Sequence, residues 1–191
     1  MLEHAPREAL QQRVGAAILE AAARTLAVGG ERASMNDVAV AAGVARATLY
    51  RYFPSRQALL QEVGRLAVND AGARLESARI NEVALEDGVA RAIRALVEVG
   101  DYFIVLARER IRPEPEDLEE KIAIPLRQLV ERGQATGGVR QDVPSSWLTQ
   151  SLLGLVVSVL SSAPSMGKED TVAVTTSLFL NGASDRQRRF E

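Results

Sequence analysis

The chain has no cysteine and a single histidine, His4, among its 191 residues. The first absence excludes disulfides, thiolate metal sites and a cysteine nucleophile, and permits a reducing compartment. The second removes the usual means of proton transfer and any His-rich metal site, because His4 sits where chain ends fray. Long apolar runs are missing too. The most hydrophobic stretch, WLTQSLLGLVVSVL from Trp147 to Leu160, is interrupted by Thr149, Gln150, Ser151 and Ser158 and falls short of the roughly 20 residues a membrane helix needs. No Gly-x-x-x-x-Gly-Lys loop is present, since Gly167-Lys168 lacks the upstream glycine and is followed by Glu169. The acids Glu114, Glu116, Asp117, Glu119 and Glu120 read as a solvated helix start, where negative charge suits the dipole, and not as a catalytic pair. An enzyme, a metal centre, a cofactor and a membrane partner are therefore not expected. The opening MLEHAPREALQQR is polar and mixed in charge, unlike a secretory signal, so a cytoplasmic location is expected.

What the chain does have is an apolar share of 47%, enough for a packed core. Its net charge of -2 is unevenly divided. Residues 1–60 carry seven arginines against five acids, a balance of +2, and the remainder stands at -4. A basic half suits a nucleic-acid surface, but so small an excess requires well-placed contacts and doubling in a dimer more than a broad field.

Those contacts are sought in Ser34–Phe53, SMNDVAVAAGVARATLYRYF. Ser34 is placed to cap a helix, with Asp37 able to reach back to its start. Val38 and Ala42 share a face, Ala39 permits close approach, and Gly43 stands where a turn needs positive φ. Val44 fills the corner. A second helix is expected from Ala45 to Phe53, stopped by Pro54. Leu49 and Phe53 form its buried face; Ala47, Thr48 and Arg51 lie opposite, flanked by Tyr50 and Tyr52. The wheel turns Arg46 toward the core side, yet from the first turn its long side chain can still reach a guanine. For the tyrosines, packing against the preceding helix is the rival reading; for Arg46, Arg51 and Arg56 it is ordinary surface charge.

Taken in order, Ala42-Gly43-Val44, Thr48-Leu49-Tyr50, Tyr52-Phe53 and Pro54-Ser55-Arg56 resemble the helix-turn-helix of TetR-type transcriptional regulators, over about Arg13 to Leu60. The resemblance implies that Ser34 and Met35 sit near the DNA backbone, that Arg46, Ala47 and Tyr50 face base edges, and that Thr48, Tyr52 and Arg56 hold phosphates. Arg56 replaces a frequent Lys and Ala45 a frequent Ser. It also implies the fold: all-α, with a three-helix DNA-binding domain at 1–58 and a helical effector-binding and dimerisation domain at 59–191.

Periodicity fills in the rest. An amphipathic helix is expected from Pro6 to Val28, carrying Arg7 near its start, with Gly29 and Gly30 ending it. Another runs from Arg56 to about Arg79, which in the family links the reading head to the second domain. Further helices are expected at Leu85–Val99, Asp101–Ile111 and Leu118–Arg132, with Pro125 kinking the last and a loop at Gly133–Asp142. By resemblance the final helices, Trp147–Leu160 and Thr171–Leu180, form a four-helix dimer interface through Trp147, Leu152, Leu153, Leu155, Val156, Val159, Leu160, Val172 and Phe179, with Gly154 allowing close packing. Leu96, Tyr102, Phe103, Leu106 and Trp147 are candidate walls of an effector pocket, with Arg94 or Arg108 as anchor; the low aromatic content favours an aliphatic effector. The function expected is a homodimeric repressor released from palindromic duplex DNA by a small molecule. The alternative is an all-helical binding or scaffold protein that no longer reads DNA, which predicts no sequence selectivity.

Overall fold

A computed structural model describes residues 4–162 and 166–184, of residues 4–8 and 31 the backbone only. The side chains of His4 and Arg7 therefore lie outside the described residues. Among the described residues the regular structure is all helical, without strands. In order they form α1 (His4–Gly29), a 3-10 turn (Gly30–Arg32), α2 (Met35–Ala41), α3 (Arg46–Tyr52), α4 (Arg56–Ser77), α5 (Leu85–Glu98), α6 (Gly100–Arg108), α7 (Pro115–Leu118), a π-turn (Glu119–Ala123), α8 (Ile124–Ala135), α9 (Ser145–Ser161) and α10 (Lys168–Ala183).

The chain divides into two compact units. One, the head, joins the residues up to Leu66 with Asp101–Arg112; the other joins Ala67–Gly100 with the residues from Pro113 onward. The head core gathers Ile18, Leu26, Val38, Leu49, Leu59, Val63 and Val105, all fully buried. Val105 comes from α6, with Tyr102, Ile104 and Ile111 packed beside it. Gly64 lets α6 lie close: a Cβ there would stand 3.2 Å from Leu106 Cδ2.

In the second unit, α10 packs on α5 and α9, and α8 packs on α9 and α5. Leu75, Ile93, Leu96, Ile122, Leu126, Leu129 and Leu152 are its most buried large side chains. Pro115 stands after the end of α6 and occupies the first turn of α7, where its missing N–H is no loss. Pro125 does not simply kink its helix either. It has no N–H for the Lys121 carbonyl, and the turn just before it widens: the Ile124 N–H donates to Glu119 O, five residues back. The rod then continues to Ala135, so Gly133–Ala135 is helix and not loop.

Four residues expected at a dimer interface belong to this interior. Leu152, Val156, Val172 and Phe179 are buried within their own chain. The physical reason lies in α10. Its inward face carries Thr171, Thr175 and Thr176, whose hydroxyls donate to carbonyls four residues back at 2.9, 2.6 and 2.7 Å and so need no water. With threonines satisfied inside, Val174 and Leu178 are left on the outside, 41% and 55% exposed. Leu153, Leu155, Val159 and Leu160 are half-buried, and Leu160 lies over Gly100.

Gly88, near the start of α5, is the tightest point. A Cβ there would stand 2.6 Å from Ile80 O and 2.8 Å from Leu129 Cδ1. Gly88→Ala is expected to cost about 1–3 kcal/mol, read as a lower midpoint in urea unfolding; an unchanged midpoint would mean that this contact is absent.

Candidate nucleic-acid interface

The two short helices of the head are set by local chemistry. Ser34 has extended backbone and caps α2: the Asp37 N–H donates to Ser34 Oγ at 3.2 Å, while the Ser34 N–H and hydroxyl donate to Asp37 Oδ2 at 2.8 and 2.7 Å. The backbone bond from Ser34, followed by its hydroxyl, holds the Asp37 carboxyl below the usual aspartate range. Gly43 turns the corner at φ 66, and a Cβ there would meet nothing; the glycine is required by conformation alone. Ala45 then caps α3 without a side-chain bond.

Leu49 is 0% and Phe53 7% exposed, which roots α3 in the head core. Ala47 and Arg51 point outward and Thr48 is half-buried. Arg46, which the wheel turned inward, is exposed; its guanidinium lies over the Tyr50 ring, 5.5 Å from the centroid. Arg51 lies over Tyr52 in the same way at 5.6 Å. Each pair limits the freedom of a long cationic side chain before any ligand arrives. Both tyrosines are half-buried against the head core, so part of each ring serves packing, as the rival reading held, while part remains accessible. The Tyr52 ring lies near Gly15 of α1.

Two expected contacts are not presented outward. The Met35 side chain is buried in the head core, so only its backbone faces the start of α2. Arg56 is half-buried and already bonded: its Nη1 donates to Ala33 O at 2.6 Å and its Nη2 to Glu109 Oε1 at 2.6 Å. Arg32, two residues before the cap of α2, is exposed.

The candidate effector walls are not brought together. Tyr102 and Leu106 pack within the head, Leu96 is buried inside the second unit, Phe103 is half-buried, and Trp147 is 68% exposed. Arg108 donates to Ala27 O inside the head. Arg94 is bonded to Glu169, with Nη2 at 2.6 Å from Oε2; these bonds raise the Arg94 pKa and lower that of Glu169. The second unit does hold open clefts. One of about 540 Å³ is lined by Arg74, Ser77, Arg91, Arg94 and Glu98, and one of about 660 Å³ by Asn69, Gly72, Asn81, Lys121 and Gln128.

The sequence profile of bacterial regulatory proteins of the tetR family matches residues 18–63, the stretch that builds this head. It is this head, about a quarter of the chain, that resembles the tetR family. The HTH-type transcriptional repressor LfrR of Mycolicibacterium smegmatis (strain ATCC 700084 / mc(2)155) is 29% identical over 138 residues, 72% of each chain. The structure of LfrR from Mycobacterium smegmatis in complex with proflavine superposes with a TM-score of 0.70 at 24% identity, covering 91% of this chain and 98% of that one. PfmR, a TetR family transcriptional regulator from Thermus thermophilus, gives 0.68 at 24% identity, with 88% and 96% covered. These structural likenesses show the TetR-type fold. Among the described residues, no helix is long and apolar enough to cross a membrane.

The cap of α2 predicts a pH signature. A depressed folded-state pKa at Asp37 contributes stability that is present above the unfolded-state value and lost as pH falls through the folded one. Asp37→Asn should therefore flatten the acid limb of a thermal-unfolding series, and Ser34→Ala should cost about 1 kcal/mol. An acid limb identical to that of the native chain in both variants would contradict the capping box.

Proposed function

We propose that the chain is a homodimeric repressor that reads a palindromic operator through α3 and is released by a small-molecule effector. The observation that carries this is the outward presentation of Arg46, Ala47 and Arg51 on a helix rooted by Leu49 and Phe53. In this reading Arg46 and Tyr50 address base edges, an arginine fork being suited to guanine O6 and N7. Thr48, Arg51, Tyr52 and the exposed Ser34 hold backbone oxygens, which fixes register without carrying sequence information. Residues 1–58 are the reader, residues 59–191 sense the effector and dimerise, and the protein works in the cytoplasm.

Dimerisation is supported by an apolar surface that one chain leaves uncovered. Trp147, Val174 and Leu178 are all exposed, Leu153, Leu155, Val159 and Leu160 are half-buried, and Gly154 has open space beside it. Exposed apolar surface of this kind marks an interface. A dimer sets two copies of α3 in successive major grooves, about 34–36 Å apart. An effector is supported by the clefts of the second unit and by the repressor LfrR, whose structure holds proflavine.

Selection of bound duplexes from a random pool tests the reading. It should return two inverted half-sites at a fixed spacing; a pool with no enriched sequence would leave the scaffold alternative standing. On the recovered duplex, Arg46→Ala should weaken binding by about 1–3 kcal/mol and Tyr50→Phe by less, with unfolding curves unchanged. Equal affinity for both variants would refute base reading by α3. In sedimentation, Leu178→Asp should shift the chain from dimer to monomer at micromolar concentration, and a native chain that sediments as a monomer would refute the interface.

A further inference from the structure

Arg56 opens α4, three residues after Phe53, the C-cap of the reading helix, and 31% of its side chain is exposed. Its guanidinium nevertheless points into the protein, to Glu109 Oε1 and Ala33 O, each at 2.6 Å. Glu109 is held there by a turn that ends α6. Its N–H donates to Val105 O at 2.9 Å, and the Ile111 N–H returns to Leu106 O at 3.0 Å. Between them Arg110 has φ 54, a region that a side chain disfavours. The chain is held on both sides of it: Arg108 is tied to Ala27 O, and Ile111 packs on the head core. Glu109 itself is only 13% exposed.

A hydrogen-bonded turn with one residue at positive φ thus delivers one carboxylate to one arginine just after the reading helix. Arg56 gives the carboxylate one charge-assisted bond, through Nη2, and a guanidinium N–H bonds a phosphate oxygen in the same way. In a segment whose excess is +2 over residues 1–60, one neutralised arginine matters. We propose that Glu109 is an internal stand-in for a DNA phosphate: it occupies Arg56 in the free chain and sets the affinity of the head by competing with the duplex for that guanidinium. On binding, Arg56 keeps its bond to Ala33 and exchanges Glu109 for a backbone oxygen. The exchange is nearly balanced, so Arg56 adds little to affinity while Glu109 is present. This rests on the DNA-reading function proposed above.

Phosphate contacts are blind to sequence, so a short duplex of arbitrary sequence at low salt serves as the probe. Glu109→Gln should bind it roughly tenfold more tightly, and the slope of log affinity against log salt should steepen by about 0.9 per head. Adding Arg56→Gln to Glu109→Gln should abolish both gains, whereas Arg56→Gln alone should change affinity little. Unchanged or weaker binding by a folded Glu109→Gln variant would make the pair a structural tie only and overturn the proposal. Should that variant fail to fold, the native chain still decides: the Glu109 carboxyl carbon resonance should shift on adding duplex, and a resonance that stays put overturns the proposal. Native protein that binds no duplex at all would instead overturn the DNA-reading function itself.

Discussion

A seven-residue helix such as α3 has no stability of its own in water, because the cost of nucleating a helix is recovered only over about 12–15 residues. What keeps it folded is the burial of Leu49 and Phe53 in a core shared with α1, α2, α4 and Val105 of α6. Each such side chain contributes on the order of 1.5–3 kcal/mol by leaving water, and together they fix the rotation of the helix about its axis. That rotation decides which groups face outward. With Leu49 inward, Arg46, Ala47 and Arg51 have only solvent, or a ligand, to face.

The remaining features of the head refine that constraint. The Ser34–Asp37 box fixes where α2 begins, Gly43 fixes the angle at which the chain leaves it, and Ala39 lets the two helices approach. The arginines of α3 rest on tyrosine rings, Arg46 on Tyr50 and Arg51 on Tyr52, which limits the freedom of each side chain. A modest positive balance suffices when few side chains are left to be ordered on binding. Ion pairs elsewhere on the surface, such as Arg65 with Glu62 at 2.8 Å, are exposed and screened and add little.

How much of this was legible in the sequence follows from the range of the interactions. The capping box, the Gly43 turn and the buried pair Leu49 and Phe53 are local, separated by three or four residues, and could be read directly. The Arg56–Glu109 bond spans 53 residues and has no local signature, so Arg56 read as a free phosphate ligand. Interior and exterior of α10 were mistaken because threonine counts as polar in a periodicity, while Thr175 and Thr176 satisfy their hydroxyls within the helix and turn inward. That exchange turns Val172 and Phe179 inward and leaves Val174 and Leu178 exposed. The effector walls were chosen by residue type, and side-chain type does not say which face of a helix its neighbours cover. Trp147, chosen as a wall, is exposed.

The central claim is that the outward face of α3 meets the duplex. Arginine-selective chemical modification, mapped by mass spectrometry with and without the selected duplex, tests it most directly. Arg46 and Arg51 should react readily in the free chain and be shielded in the complex, while exposed arginines distant in sequence, such as Arg79, react equally in both. Arg46 and Arg51 reacting at the same rate in a saturated complex would contradict the account.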